Sequence, residues 1–246
     1  SMYAGTSVVK ATGATGTTLN LDAQTVVVGD AGGAALTADT INITGTTTTS
    51  GTTAVQVLRG STITSSGATA ITASGPGTSL SSDADTTIAA TGGLTVNINN
   101  AGTLASLVSG GSANVGGFTK SGAGTLTVSN SNTHKGTTLL SAGTLVLNNA
   151  NALQSSTLDT GTSGTQQVSF GLTGTNTYNI GGLQGSDAIA LGTNRLSVGA
   201  NNSSTTYSGL LSGTGGITKV GTGNLTLTGD SNNTGDYNAN AGTLTL

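Results

Sequence analysis

"FTKSGAGTLTVSNSNTHKGTTLLSAGTLVLNNANAL", Phe118 to Leu153, decides the fold, because much of it returns as "ITKVGTGNLTLTGDSNNTGDYNANAGTLTL", Ile217 to Leu246. A shift of 99 positions aligns the two without a gap. Lys120 falls on Lys219, Gly122 and Gly124 on Gly221 and Gly223, and Leu126 on Leu225. Further along, Gly136, Ala142, Gly143, Thr144, Leu145 and Leu147 fall on Gly235, Ala241, Gly242, Thr243, Leu244 and Leu246. Spacing kept through two turns implies a fixed backbone path, and repetition at this length implies stacked units.

Each copy holds two runs of alternating character. In "GTLTVS", Leu126 and Val128 face one way while Thr125 and Thr127 face the other. Leu145 and Leu147 repeat the pattern in "GTLVLN", as do Leu225 and Leu227 in "GNLTLT". Roughly 19 residues separate Leu126 from Leu145, about one circuit of a coil of short strands joined by turns. A single circuit cannot bury its apolar face, but stacked circuits form a continuous interior column.

The first half is written in a related style. "TSGTTAVQVLRGSTIT" (Thr49–Thr64) is echoed by "SSGATAITASGPGTSL" (Ser65–Leu80), and "TTLNL", "TVVV", "TINIT", "TTIAA" and "LTVNIN" are further strand candidates. Gly, Asp, Asn and Ser fill the gaps, which suits turns. The expectation is one unit over residues 1–246: less regular turns over 1–116, then two repeat copies and a linker over 117–246. It is all-β, a right-handed parallel β-helix of roughly ten to eleven turns, a rod about 50 Å long at the strand spacing of ~4.8 Å. A two-sheet sandwich fits less well, because two Phe and four Tyr are few for a thick core.

Composition agrees. The chain has no Glu, 41 Gly and only 6% charged residues, against about 25% in ordinary globular domains, so helical surfaces have little to draw on. Disorder is the rival reading of a Gly/Ser/Thr-rich chain, but 34% of residues are hydrophobic and they arrive in alternating clusters. The net charge of −3 leaves no basic stripe for nucleic acid or for anionic lipid. No apolar run approaches the length of a membrane helix. Absence of cysteine excludes a disulfide scaffold and thiolate metal sites. Ser1-Met2 reads as the remnant of a cleaved tag, and the chain as part of something longer.

At "TKSGAGTLTVSNSNTHKGTTLLSAGTLVL" and "LLSGTGGITKVGTGNLTLTGDSNNTGDYNANAGTLTL" the chain resembles the autotransporter-associated β-strand repeat. That pattern is Thr-Lys-x-Gly-x-Gly-x-Leu-x-Leu, a Gly-centred turn, then Ala-Gly-Thr-Leu-x-Leu. The second copy departs from it at "TGDYNANAG", where a second Gly-Thr-Thr run is usual. The resemblance implies a passenger segment of type V secretion, displayed on a bacterial cell surface by a C-terminal outer-membrane barrel outside this chain. It also implies an adhesin or adhesin stalk whose partners are like molecules on neighbouring cells or a host surface ligand. The alternative is a purely structural stalk that aids export and folding.

Reactive groups are scarce, and the expectation is no catalytic residue, no cofactor and no metal site. His134, the only histidine, lies in "SNTHKG" and reads as an exposed turn residue with no carboxylate beside it in sequence, so no triad is expected. One His and no Cys make no zinc site. Asp83 and Asp85 in "SSDADTT" would share a face if extended, but without an Arg or Lys they read as a turn; Asp230 and Asp236 read likewise. "GGLQGSDAI" (Gly181–Ile189) approaches a calcium nonapeptide, but its spacing is one residue too long and it has no second copy. The pairs Thr125/Thr127, Thr226/Thr228 and Thr243/Thr245 read as the solvent face of strands rather than an ice-binding face. Asn42-Ile43-Thr44 carries a glycosylation pattern that has no consequence if the source is bacterial.

Overall fold

The computed structural model describes residues 9–10, 16–29, 32–111, 113–164 and 166–246. Among these, every strand pairing is parallel, and no helix occurs. The strands form sheets of eleven, nine, five and three members. The chain is a β-solenoid, and the eleven strands of its longest sheet fit the expected number of turns.

Through the first half each coil has three sides. The chain passes from the eleven-stranded sheet to the nine-stranded and then the five-stranded one, as in Thr18–Ala23, Val26–Val28 and Ala35–Ala38. The last such coil is Leu94–Ile98, Ala101–Leu104 and Leu107–Val108. Inside, alternate residues stack in register from coil to coil. Val55, Leu80, Gly102, Leu126, Leu145, Val168, Ile189 and Leu211 form one such column. Leu126, Val128, Leu145 and Leu225 are fully buried, and Leu227 nearly so; Val128 lies between Leu104 and Leu147 and Leu145 between Leu126 and Val168, while Leu225 stacks on Leu244. On the last coil Leu244 is partly buried and Leu246 exposed.

After Val108 the third side changes character. Asn132 takes over the pairing role of a strand: its side-chain carbonyl accepts from Val108 N–H at 2.9 Å, and its amide donates to Ala152 O at 3.1 Å. Thr133 and His134 donate their backbone N–H groups to Val108 O. In the second copy Ser231, Asn232 and Asn233 make the matching approach to Leu211.

The two copies nevertheless sit differently. Their first strands, Phe118–Ser121 and Ile217–Lys219, share the eleven-stranded sheet. Of their next strands, Thr125–Val128 joins the nine-stranded sheet and Asn224–Leu227 the three-stranded one. Between them, strands Leu153–Asp159 and Thr177–Gln184 pair with a register shift between Leu153 and Thr157.

Candidate functional site

The largest fully buried side chains include Lys120 and Lys219 beside Tyr178, Tyr207 and Phe118. Lys120 occupies an inward position in register between Val96 and Leu140, where sequence alone would place an aliphatic. Its Nζ donates to Ser121 O at 2.9 Å, Gly122 O at 2.7 Å and Ala142 O at 3.0 Å. An ammonium has three N–H donors, so this cage satisfies it completely. Lys219 repeats the cage with Val220 O, Gly221 O at 2.8 Å and Ala241 O at 3.3 Å. Ala142 and Ala241 belong to the coil after the lysine's own, so each lysine clasps two coils together.

The glycines of the repeat follow from this clasp. Gly122 (φ 76°) and Gly221 (φ 68°) adopt the left-handed backbone conformation that favours glycine. A Cβ on Gly124 would lie 1.8 Å from Asn100 O, so there only glycine lets successive turns approach. Burial pushes the Lys120 ammonium down to about 8 and shifts Lys219 in the same direction. Among the described residues no carboxylate accompanies either cage, and carbonyl dipoles compensate the charge.

His134 is buried, with 1% of its surface exposed, which corrects the expectation of an exposed turn residue. The loop that closes over Val108 carries the ring inward, against the edge of Phe118 at a centroid distance of 6.1 Å. His134 Nε2 lies 2.8 Å from Thr138 Oγ1, which lies 2.8 Å from Ser156 Oγ. Ser156 donates to Gly136 O at 2.6 Å, so it accepts from Thr138, and Thr138 in turn accepts from a protonated Nε2. Nδ1 is left without a partner. Burial pushes His134 down to about 4, with the Val108 carbonyl acting the other way. The chain His–Thr–Ser crosses coils but ends on a backbone carbonyl and meets no carboxylate, so it does not form a nucleophilic triad.

The aspartates are spread over turns. Asp83 and Asp85 flank a turn in which Thr86 donates to Asp83 O. Contrary to the sequence reading, a basic residue does join them. Arg59 donates its backbone N–H to Asp83 Oδ2 at 2.8 Å and places Nε 3.7 Å from Asp85 Oδ2. Asp236 likewise meets Arg195 at 3.8 Å, while Asp230 is exposed. Such exposed pairs contribute little to stability.

In Gly181–Ile189, strand Thr177–Gln184 ends just before Gly185, and Asp187 turns inward. Its Oδ1 accepts from Gly164 N–H at 2.6 Å, and Tyr207 OH donates to its backbone carbonyl at 2.7 Å. Burial, reinforced by the Asp187 charge, raises the Tyr207 phenol above its ordinary value. Among the described residues no three of His, Cys, Asp and Glu come together to hold a metal ion.

The outward faces carry few charges, with Asp22 and Arg195 among them on the eleven-stranded sheet. On the nine-stranded sheet Gln56, Ser81, Thr103, Thr127, Val146 and Ser169 pair in one row that crosses the coils, and Ala190 pairs with Ser212 beyond the Val168–Ile189 pair. On the eleven-stranded sheet Asn20 and Asn42 stack, with Asn42 Nδ2 donating to Asn20 Oδ1 at 2.8 Å. Thr125 and Thr127 are half-buried and outward, as expected from their alternation.

A family model described as passenger-associated-transport-repeat matches residues 118–151 and 217–246, the two copies that carry the lysine clasp. The chain is also similar to the Adhesin BmaC autotransporter of Brucella suis biovar 1 (strain 1330), at 38% identity over 130 residues. That stretch is 51% of this chain and 4% of the relative, so the chain spans a small part of that protein's length. No solved structure matches.

Proposed function

We propose that this autotransporter passenger segment, with its two passenger-associated transport repeats, is a non-catalytic part of a surface adhesin that mediates cell–cell aggregation or host attachment. The observation that carries the reading is the disposition of polar groups. The buried ones among the repeats, Lys120, Lys219, Asn132 and His134, are spent on bonds between or within coils. The outward rows offer hydroxyls and amides at the regular spacing of stacked strands. Many weak contacts repeated along a rigid shaft add up through multivalency. The relative's description as an adhesin autotransporter supports the same reading.

In this reading the segment lies outside a bacterial cell, held through an outer-membrane barrel or released from it. Its partners are like molecules on neighbouring cells or a host surface ligand. A second reading, a stalk that aids export and folding and displays another module, draws support from the clasps, which bind coil to coil from buried positions.

The discriminating experiment displays the complete passenger on cells, with and without residues 1–246, and confirms equal surface display. Adhesion predicts that clumping or host-cell attachment disappears with the segment. Unchanged clumping and attachment would leave the stalk role alone.

A further inference from the structure

Strands Gln167–Phe170 and Ile189–Gly192 are neighbours in the nine-stranded sheet, yet they pair at a single position, Val168 with Ile189. Gln167–Phe170 pairs at four positions with the strand on its other side, Thr144–Leu147. The split has local causes. Asp187, anchored to the Gly164 N–H, holds the start of the second strand. Gly192, at φ 58°, turns its end away, and the register with Leu211–Gly213 slips between Ala190 and Gly192.

A cleft of about 830 Å³ opens over this divergence, within the size range of ligand sites. Its floor carries the outward side chains of Gln167, Ser169, Ala190 and Ser212, and the half-buried Phe170 lies at its edge. Gln167 and Gly171 send their backbone N–H groups to Gly143 and Leu147, and Ile189 sends its own to Leu210. Past Val168 and Ile189 the two strands share no further register pair, and the Gly192 carbonyl turns away to accept the Thr214 and Gly215 N–H groups.

We propose that this cleft is a binding site for a neutral oligosaccharide. No charged residue lines it, so an anionic or cationic ligand would lose hydration without a counter-charge to replace it. A sugar chain instead offers many hydroxyls for the Gln167 amide and the Ser169 and Ser212 hydroxyls, and apolar C–H faces for Ala190 and the edge of Phe170. An inserted peptide strand fits less well, because strand addition needs a regular edge and this one slips register after Ala190. The site deepens the adhesion reading by naming a ligand class for it, and rests on that reading only for its biological purpose.

The test applies the purified 246-residue chain to an immobilised array of neutral, sialylated and sulfated oligosaccharides. Variants are Ala190→Trp, which fills the cleft, Gln167→Ala, which removes one amide, and Thr103→Trp, which sits on the outward face of the same sheet outside the cleft. Retention of neutral oligosaccharides, weakened at least tenfold by Ala190→Trp and by a smaller factor by Gln167→Ala, with Thr103→Trp unchanged, is the expected result. Should Ala190→Trp not fold by circular dichroism, Gln167→Ala carries the test alone. No retention of neutral sugars, preference for the anionic ones, or equal retention by the cleft variants overturns the proposal. Clumping is read separately: cells that clump through this segment without sugar retention contradict the cleft and leave the adhesion reading standing.

Discussion

His134 shows most clearly how one residue's chemistry departs from its sequence context. A histidine between Ser, Asn, Thr and Lys reads as exposed, and nothing local contradicts that. It is buried because the loop over Val108 replaces a strand and turns its side chains toward the core, a consequence of pairing that no short window contains. The burial has a pH signature. Its folded pKa, near 4, lies below the unfolded value of 6.5, so between these values the unfolded chain binds the extra proton. Stability is complete above pH 6.5 and falls as pH drops toward 4, by about 3 kcal/mol for this group. Urea unfolding of the native chain and His134→Gln across that range should show the native chain losing more stability on acidification. Parallel curves would mean the imidazole is solvated.

At the scale of the repeat element, alternation and turn residues were readable in advance, since inward leucines and outward threonines follow directly from a period of two. The clasp was only half legible. Lys120 aligned with Lys219, and the neighbouring glycines aligned too, but lysine is so rarely buried that the alignment alone did not point to a core role. What the spacing concealed is that left-handed glycines turn carbonyls inward, building an acceptor cage at a core position. Lys120→Met keeps much of the volume and removes the donors, stranding the carbonyls of Ser121, Gly122 and Ala142. It should destabilise the chain by about 1–3 kcal/mol in denaturant unfolding, whereas Lys135→Met, at an exposed position, should be nearly silent. Equal effects would remove the clasp from the account. Asn132 makes the same point: a polar loop residue in sequence serves in the fold as the hydrogen-bonding link where a strand has stopped.

For the whole molecule, the 99-residue repeat announced stacked coils, and parallel pairing throughout the described residues follows from it. The sheet change between the copies was not legible: Thr177–Ile180 pair with Arg195–Val198 while Gly185, just past the same strand, bridges to Tyr207 of the three-stranded sheet, and no residue type marks that branch. Stacking makes one geometric demand on everything above: outward residues of successive coils must climb the axis by ~4.8 Å per coil. The chain has no cysteine, so pairs of spin labels can be introduced without background. Labels at Gln56 paired with Thr127, Ser169 or Ser212 are separated by three, five and seven coils in the observed register. Dipolar spectroscopy should give distances near ~14, ~24 and ~34 Å, rising in that order. Distances that fail to grow with coil number, or a Gln56–Ser212 separation shorter than Gln56–Thr127, would contradict the solenoid.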